Sequence, residues 1–248
     1  MLSRNHLALV FAAAFVLLFV VLMPARLAVS WLGLDTRLSY SDVQGTLFHA
    51  ELSGATYRGM PLGNVTVEPS LGALFTGSLS GDVQVRGQGI SGSAVVRETD
   101  ADIYSFTNLK LVTPVAAGAD GWPLRGSLSL TASELVLGPQ GCMGGSFTLR
   151  TDAFSSALSQ LGAGELVLVG DGACLYGQPT MALAGENEQL SLTLNAKGMT
   201  PGTLVAEVTL IPKAALAGRD DLQMALNFAG LRRNGNAWAG EIHLPLGF

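Results

Sequence analysis

Apolar and polar residues follow two different patterns along this chain, and the change falls near Trp31. From Leu7 to Met23 no polar side chain interrupts the run, and no charge lies between Arg4 and Arg26. Coiled at ~1.5 Å per residue, the stretch between those two arginines reaches about 30 Å, the hydrocarbon thickness of a bilayer. A helix apolar on every side has no face to show to water, which excludes a surface helix. The pattern therefore predicts a short cytoplasmic head over 1–6 and a membrane-spanning helix over 7–25. Pro24 would close that helix, and Trp31 would lie at the interface. A cleaved signal peptide is the competing reading, with Ala28-Val29-Ser30 as a small-residue cleavage site. Its apolar region is usually ~7–15 residues, shorter than the run here.

Beyond Trp31 the period drops to two. Val65/Val67, Val83/Val85, Leu109/Leu111, Leu128/Leu130, Leu135/Leu137 and Phe147/Leu149 each place apolar side chains two apart. Leu166/Leu168, Met181/Leu183, Leu190/Leu192/Leu194, Leu204/Ala206/Val208/Leu210, Met224/Leu226/Phe228 and Trp238/Gly240/Ile242/Leu244 continue the series. Period two predicts strands buried on one face. Turn residues separate the runs, and Asn234-Gly235 is the strongest hairpin signal because both residues tolerate positive φ. Strand and turn without alternating helices predict antiparallel meanders.

Helix is scarce. Phe154, Leu158 and Leu161 fall at helical spacing, so Asp152 is expected to cap a short helix through Gln160. Ala214–Leu222 offers one or two turns more. The fold class expected is mainly β: one N-terminal transmembrane helix, then an antiparallel sheet domain over 27–248 with one or two short helices. A soft boundary is expected near Pro114–Trp122.

Composition narrows the function. Apolar residues are 48% of the chain, charged residues 13%, and the net charge is −5. Arg232-Arg233 is the lone adjacent basic pair, so the clustered cations that a nucleic-acid groove needs are missing. The positive-inside count is nearly even, with Arg4 on one side of the run and Arg26 and Arg37 on the other. A short head before one long tail is the layout of an exported tail, so 27–248 is expected in the periplasm.

Cys142 and Cys174 are the two cysteines. An even count in an oxidising compartment suggests a bridge, whereas two buried free thiols would pack as small hydrophobes. Both cysteines have glycine close by, in Gly141-Cys142-Met143-Gly144-Gly145 and Gly172-Ala173-Cys174-Leu175, which eases the approach a disulfide requires. A Cys142–Cys174 bridge would tie the helical excursion over 152–160 back to the sheet.

Candidate chemistry is thin. Gly87-Gln88-Gly89-Ile90-Ser91-Gly92 matches G-x-G-x-x-G, but the residues after it read as strand rather than the helix a pyrophosphate needs. Glu98, Asp100 and Asp102 offer oxygens to a hard cation, yet read better as a solvated edge that discourages sheet pairing. Asp220-Asp221 and Glu186/Glu188 read alike. His49 and His243 lack an acid–nucleophile arrangement, and no G-x-S-x-G elbow, P-loop lysine or H-E-x-x-H occurs. No catalytic, cofactor or metal residues are assigned, and an enzyme is not expected.

One stretch carries a family resemblance. Val43-Gln44-Gly45-Thr46-Leu47-Phe48-His49-Ala50 is similar to the Gly-Thr-Leu-Trp-x-Gly that follows the anchor in the type II secretion system protein N family. Phe48 stands where Trp is usual and Ala50 where Gly is usual. The two cysteines and the terminal strand with Trp238 also resemble the family. The resemblance implies a single-pass inner-membrane protein with a periplasmic sheet, a non-enzymatic accessory that contacts other secretion components. A more distant resemblance, to anchored periplasmic proteins of the AsmA type, implies a folded-over sheet with an apolar groove and a lipid or other apolar ligand.

Overall fold

The computed structural model describes residues 10–12, 14–15, 18–19, 21–31, 38–57, 60–70, 72, 80–87, 89–119, 122–139, 141–175, 177–200 and 203–245. Head residues 1–6 and much of the expected span over 7–25 lie outside that set. Within the span, 10–12, 14–15, 18–19 and 21 are helical, and Phe11, Phe15, Leu18, Phe19 and Leu22 are exposed. Among the described residues no helix is long and apolar enough to cross a membrane.

The chain divides into two compact units, Met1–Ser91 with Val95–Arg97 and Gly92–Ala94 with Glu98–Phe248. The division falls within strand β6 (Ser91–Asp100), not near Pro114–Trp122. That stretch instead belongs to a long antiparallel pair, β7 (Ile103–Ala119) against β8 (Trp122–Gly138), paired out to Ala119 opposite Trp122.

In the first unit, β3 (His49–Tyr57) pairs along one side with β1 (Leu38–Ser39) and β2 (Asp42–Thr46). On its other side β4 (Met60–Pro69) follows, then β5 (Ser80–Arg86). The register aligns Val43, Leu52, Val65 and Val85 across four strands, and the two-residue period puts that row on one face. Helix α1 (Ala25–Trp31) covers it: Ala25 and Val29 join Val43, Ala50, Leu52, Ala55 and Val65 in one buried cluster.

The second unit runs β7-β8-β9-β10-β11-β12-β13-β15-β14, every pair from β7 onward antiparallel. Its remaining strands are β9 (Gly141–Thr151), β10 (Leu168–Leu175), β11 (Gln178–Glu186), β12 (Leu190–Thr200), β13 (Thr203–Pro212), β14 (Arg232–Asn234) and β15 (Ala237–Pro245). Leu130, Leu149, Gly170, Leu183, Leu194 and Val208 stand opposite one another in turn, and Leu192, Leu210 and Trp238 form the next row. Cα atoms of β15 lie within 8 Å of β7 although six strands separate them, so this sheet curls over its core.

Two short helices fill the concave side. Helix α2 (Ser155–Gln160) lies between β9 and β10 and buries Ala157 and Leu158. Helix α3 (Asp220–Phe228) lies between β13 and β14 and buries Leu222 and Leu226. Those leucines meet Leu190, Leu192 and Leu210 from the strands in one cluster.

Two local expectations are corrected here. Met224/Leu226/Phe228 is helix rather than strand: Leu222 and Leu226, four apart, face the core, while Met224 and Phe228, also four apart, are 72% and 84% exposed. Period two in that stretch was a coincidence of two helical pairs. The helix therefore begins at Asp220, not Ala214, with Asp220 and Asp221 in its first turn, where the helix dipole favours negative charge. Asp152 does not cap α2 with its side chain. Phe154 holds the cap position without a side-chain bond, and Asp152 Oδ1 instead accepts from the Ser127 N–H at 2.6 Å and its hydroxyl at 3.0 Å.

Candidate functional site

The stretch singled out by its sequence, Val43–Ala50, is the β2–β3 hairpin, and it grips the chain just past the apolar run. The Leu47 N–H donates to the Met23 carbonyl at 2.9 Å, and Pro24 bridges Thr46 in antiparallel fashion. Two residues on, Arg26 Nε donates to the Val43 carbonyl at 3.1 Å and Nη2 reaches Asp42 Oδ1 at 2.5 Å. Met23, Pro24 and Arg26 are thus each bonded directly to the hairpin.

Local chemistry explains the hairpin. Gly45 sits at φ +94°, and a Cβ there would collide with the His49 carbonyl oxygen, so both the turn and the space demand glycine. Asp42 uses both carboxylate oxygens: Oδ2 accepts from Gln44 Nε2 at 3.0 Å, and Oδ1 from Arg26 and from the Val43 N–H at 2.9 Å. Those bonds, Gln44's foremost and then Arg26's, hold the Asp42 carboxyl below its ordinary pKa. Leu47 and Phe48, the two residues of the turn, are only half-buried.

The cysteines form a second feature. Cys142 and Cys174 are joined, with Cα atoms 5.4 Å apart. Cys142 stands one residue into β9 and Cys174 one residue from the end of β10, past the last paired residues, Ser146 and Ala173. Helix α2 occupies the other end of the same hairpin, beyond Thr151 opposite Leu168. The bridge thus clasps the open end of β9–β10 and does not tie α2 to the sheet. Strand length separates the two, because side chains at opposite ends of an extended β9 cannot meet.

The other singled-out residues do not converge. Gly87 follows the last residue of β5 and Ser91 begins β6, with Gly87 N–H bonded to the Ile90 carbonyl at 2.8 Å, so among the described residues no helix opens on that glycine motif. His49 Nδ1 lies 3.0 Å from Glu68 Oε1, and His243 Nε2 lies 3.8 Å from Glu241 Oε1, in separate units. Glu186 pairs with Lys213 at 2.6 Å, which lowers its pKa, and Asp221 pairs with Arg219. Among the described residues no three His, Cys, Asp or Glu gather as metal ligands would. Sequence reading missed Arg26 and Asp42 as partners. The signal was faint: one cation after the apolar run and one acid at the next strand.

Fold and junction together define a predominantly antiparallel-sheet protein in which the end of the N-terminal apolar run is hydrogen-bonded to the β2–β3 hairpin. The chain belongs to the type II secretion system protein N family: the family profile described as "Type II secretion system (T2SS), protein N" matches residues 36–239, across both units. It is 25% identical over 222 residues to the type II secretion system protein N of Vibrio cholerae serotype O1, covering 83% of this chain and 85% of that protein. No solved structure matches.

Proposed function

We propose that this chain is an accessory inner-membrane component of the type II secretion system, acting through protein–protein contacts in the periplasm and not as an enzyme. Residues 1–6 form the cytoplasmic head, 7–25 the single-pass anchor and 27–248 the periplasmic part. The family match over 36–239 carries the reading, and the uncharged run before it supports the anchor. Other secretion components are the partners, met by sheet edges or loops, with strand addition as one mode. No residue is assigned to bind nucleic acid, metal or cofactor.

The lipid-trough alternative needs an apolar lining open to ligand. In the second unit the lining is occupied: Leu158 of α2 and Leu222 and Leu226 of α3 are packed into the leucine rows of the strands. Crosslinking in intact envelopes that contain the machine, then pull-down of the tagged chain, tests the proposal. Secretion components are expected in the eluate. Their absence, with lipid retained in native mass spectrometry, would favour the trough.

A further inference from the structure

We propose that the Leu47-Phe48 tip of the β2–β3 hairpin docks on the surface of the bilayer that the chain's own apolar run enters. This rests on reading that run as a retained anchor. Met23 is the last residue of the run, and its carbonyl accepts from the Leu47 N–H at 2.9 Å. The hairpin tip is therefore at the level where the chain leaves the apolar phase. Three further contacts, Pro24 to Thr46, Arg26 to Val43 and Arg26 to Asp42, prevent the tip from swinging away on a tether.

The tip's composition suits that place. Leu47 and Phe48 are apolar and half-buried, yet neither belongs to the buried cluster of the first unit or is among the residues packed against it. Leu22 and Leu27, on either side of the Met23–Arg26 contact region, are more open, at 62% and 48% exposed. Apolar side chains around a membrane exit gain by entering the interfacial layer, where an aromatic ring is particularly well accommodated. The ionisable side chains near the hairpin include Arg26 beside Asp42 and His49 beside Glu68, with Glu51 on the same strand, so among the described residues no cluster of one sign forms there. Headgroup charge is thus not the attraction, and zwitterionic lipid suffices.

The test uses the full chain in phosphatidylcholine vesicles, with an environment-sensitive fluorophore on Phe48→Cys and, separately, on Leu18→Cys. Lipids carrying a nitroxide high or low on the acyl chain quench the label according to depth. Leu18 is expected to be quenched more by the deep nitroxide, and Phe48 more by the shallow one. Quenching at Leu18 with none at Phe48 overturns the docking and leaves the anchor intact. Quenching at neither removes both. Stronger quenching of Phe48 by the deep nitroxide also overturns surface docking. Leu47→Cys gives the same reading should the Phe48 variant fail to fold.

Discussion

Arg26 and Asp42 face each other at 2.5 Å, joining the first charged residue after the apolar run to the first residue of β2. Asp42 also accepts from Gln44 and from the Val43 N–H, so the carboxylate, rather than the guanidinium, is the hub.

The hub predicts a pH profile. Asp42's pKa is lowered in the folded chain, by Gln44 first and Arg26 next. A depressed carboxylate contributes stability at all pH above its unfolded value, about 3.9, and loses it as pH falls through the folded value. The junction should be unaltered across neutral and mildly acidic pH and loosen only below the ordinary carboxylate range. Carbon NMR titration of the Asp42 carboxyl is expected to show a midpoint below that of a free aspartate, rising in Gln44→Ala and in Arg26→Ala. A midpoint at the free value would show that the clamp does not form in solution.

Gly45→Ala should damage the hairpin. Positive φ strains any L side chain, and the new methyl meets the His49 carbonyl oxygen. A loss of more than about 1 kcal/mol is expected, read as a lower denaturation midpoint. An unchanged midpoint would mean the turn relaxes to another conformation.

Cys142→Ser should lower stability by roughly 3–4 kcal/mol if loop entropy governs the effect. The location of the effect is more telling than its size. Hydrogen exchange should quicken at 141–145 and 173–178, the open end of β9–β10, with α2 far less affected. Faster exchange concentrated in Ser155–Gln160 would contradict the clasp, and two alkylatable thiols in chain purified from the envelope would remove it.

Leu158→Ala and Leu226→Ala each remove a side chain with no exposed surface from the same core. Each should cost about 2–5 kcal/mol. Because the two leucines come from different helices over one cluster, both should lower the same unfolding transition. Separate transitions would show that α2 and α3 do not share a core.

Alkaline phosphatase fused after Phe248 is expected to be active, since it folds only where disulfides form. A stable but inactive fusion would put residues 27–248 in the cytoplasm and withdraw the reading of the cysteines with it.

Short-range patterns in the sequence determined the uncharged run, the predominance of strand, the turn residues and the scarcity of helix. Each depends on side chains one to four positions apart, and alternation at Leu190/Leu192/Leu194 or Val65/Val67 is legible without any partner. Tertiary structure decided the rest. Leu226 belongs to a helix because Leu222 and Leu226 together fill the concave face of the second unit, and a three-residue window cannot see that face. Asp152 turned from a helix cap to Ser127, 25 residues away, which supplies two donors at once. The clasp lies at the far end of β9 from α2 because register, set by pairing along the whole of β9–β10, fixes which ends meet. Met23 and Arg26 met the hairpin for the same reason: a hydrogen bond between residues 24 positions apart leaves no periodic trace in the chain.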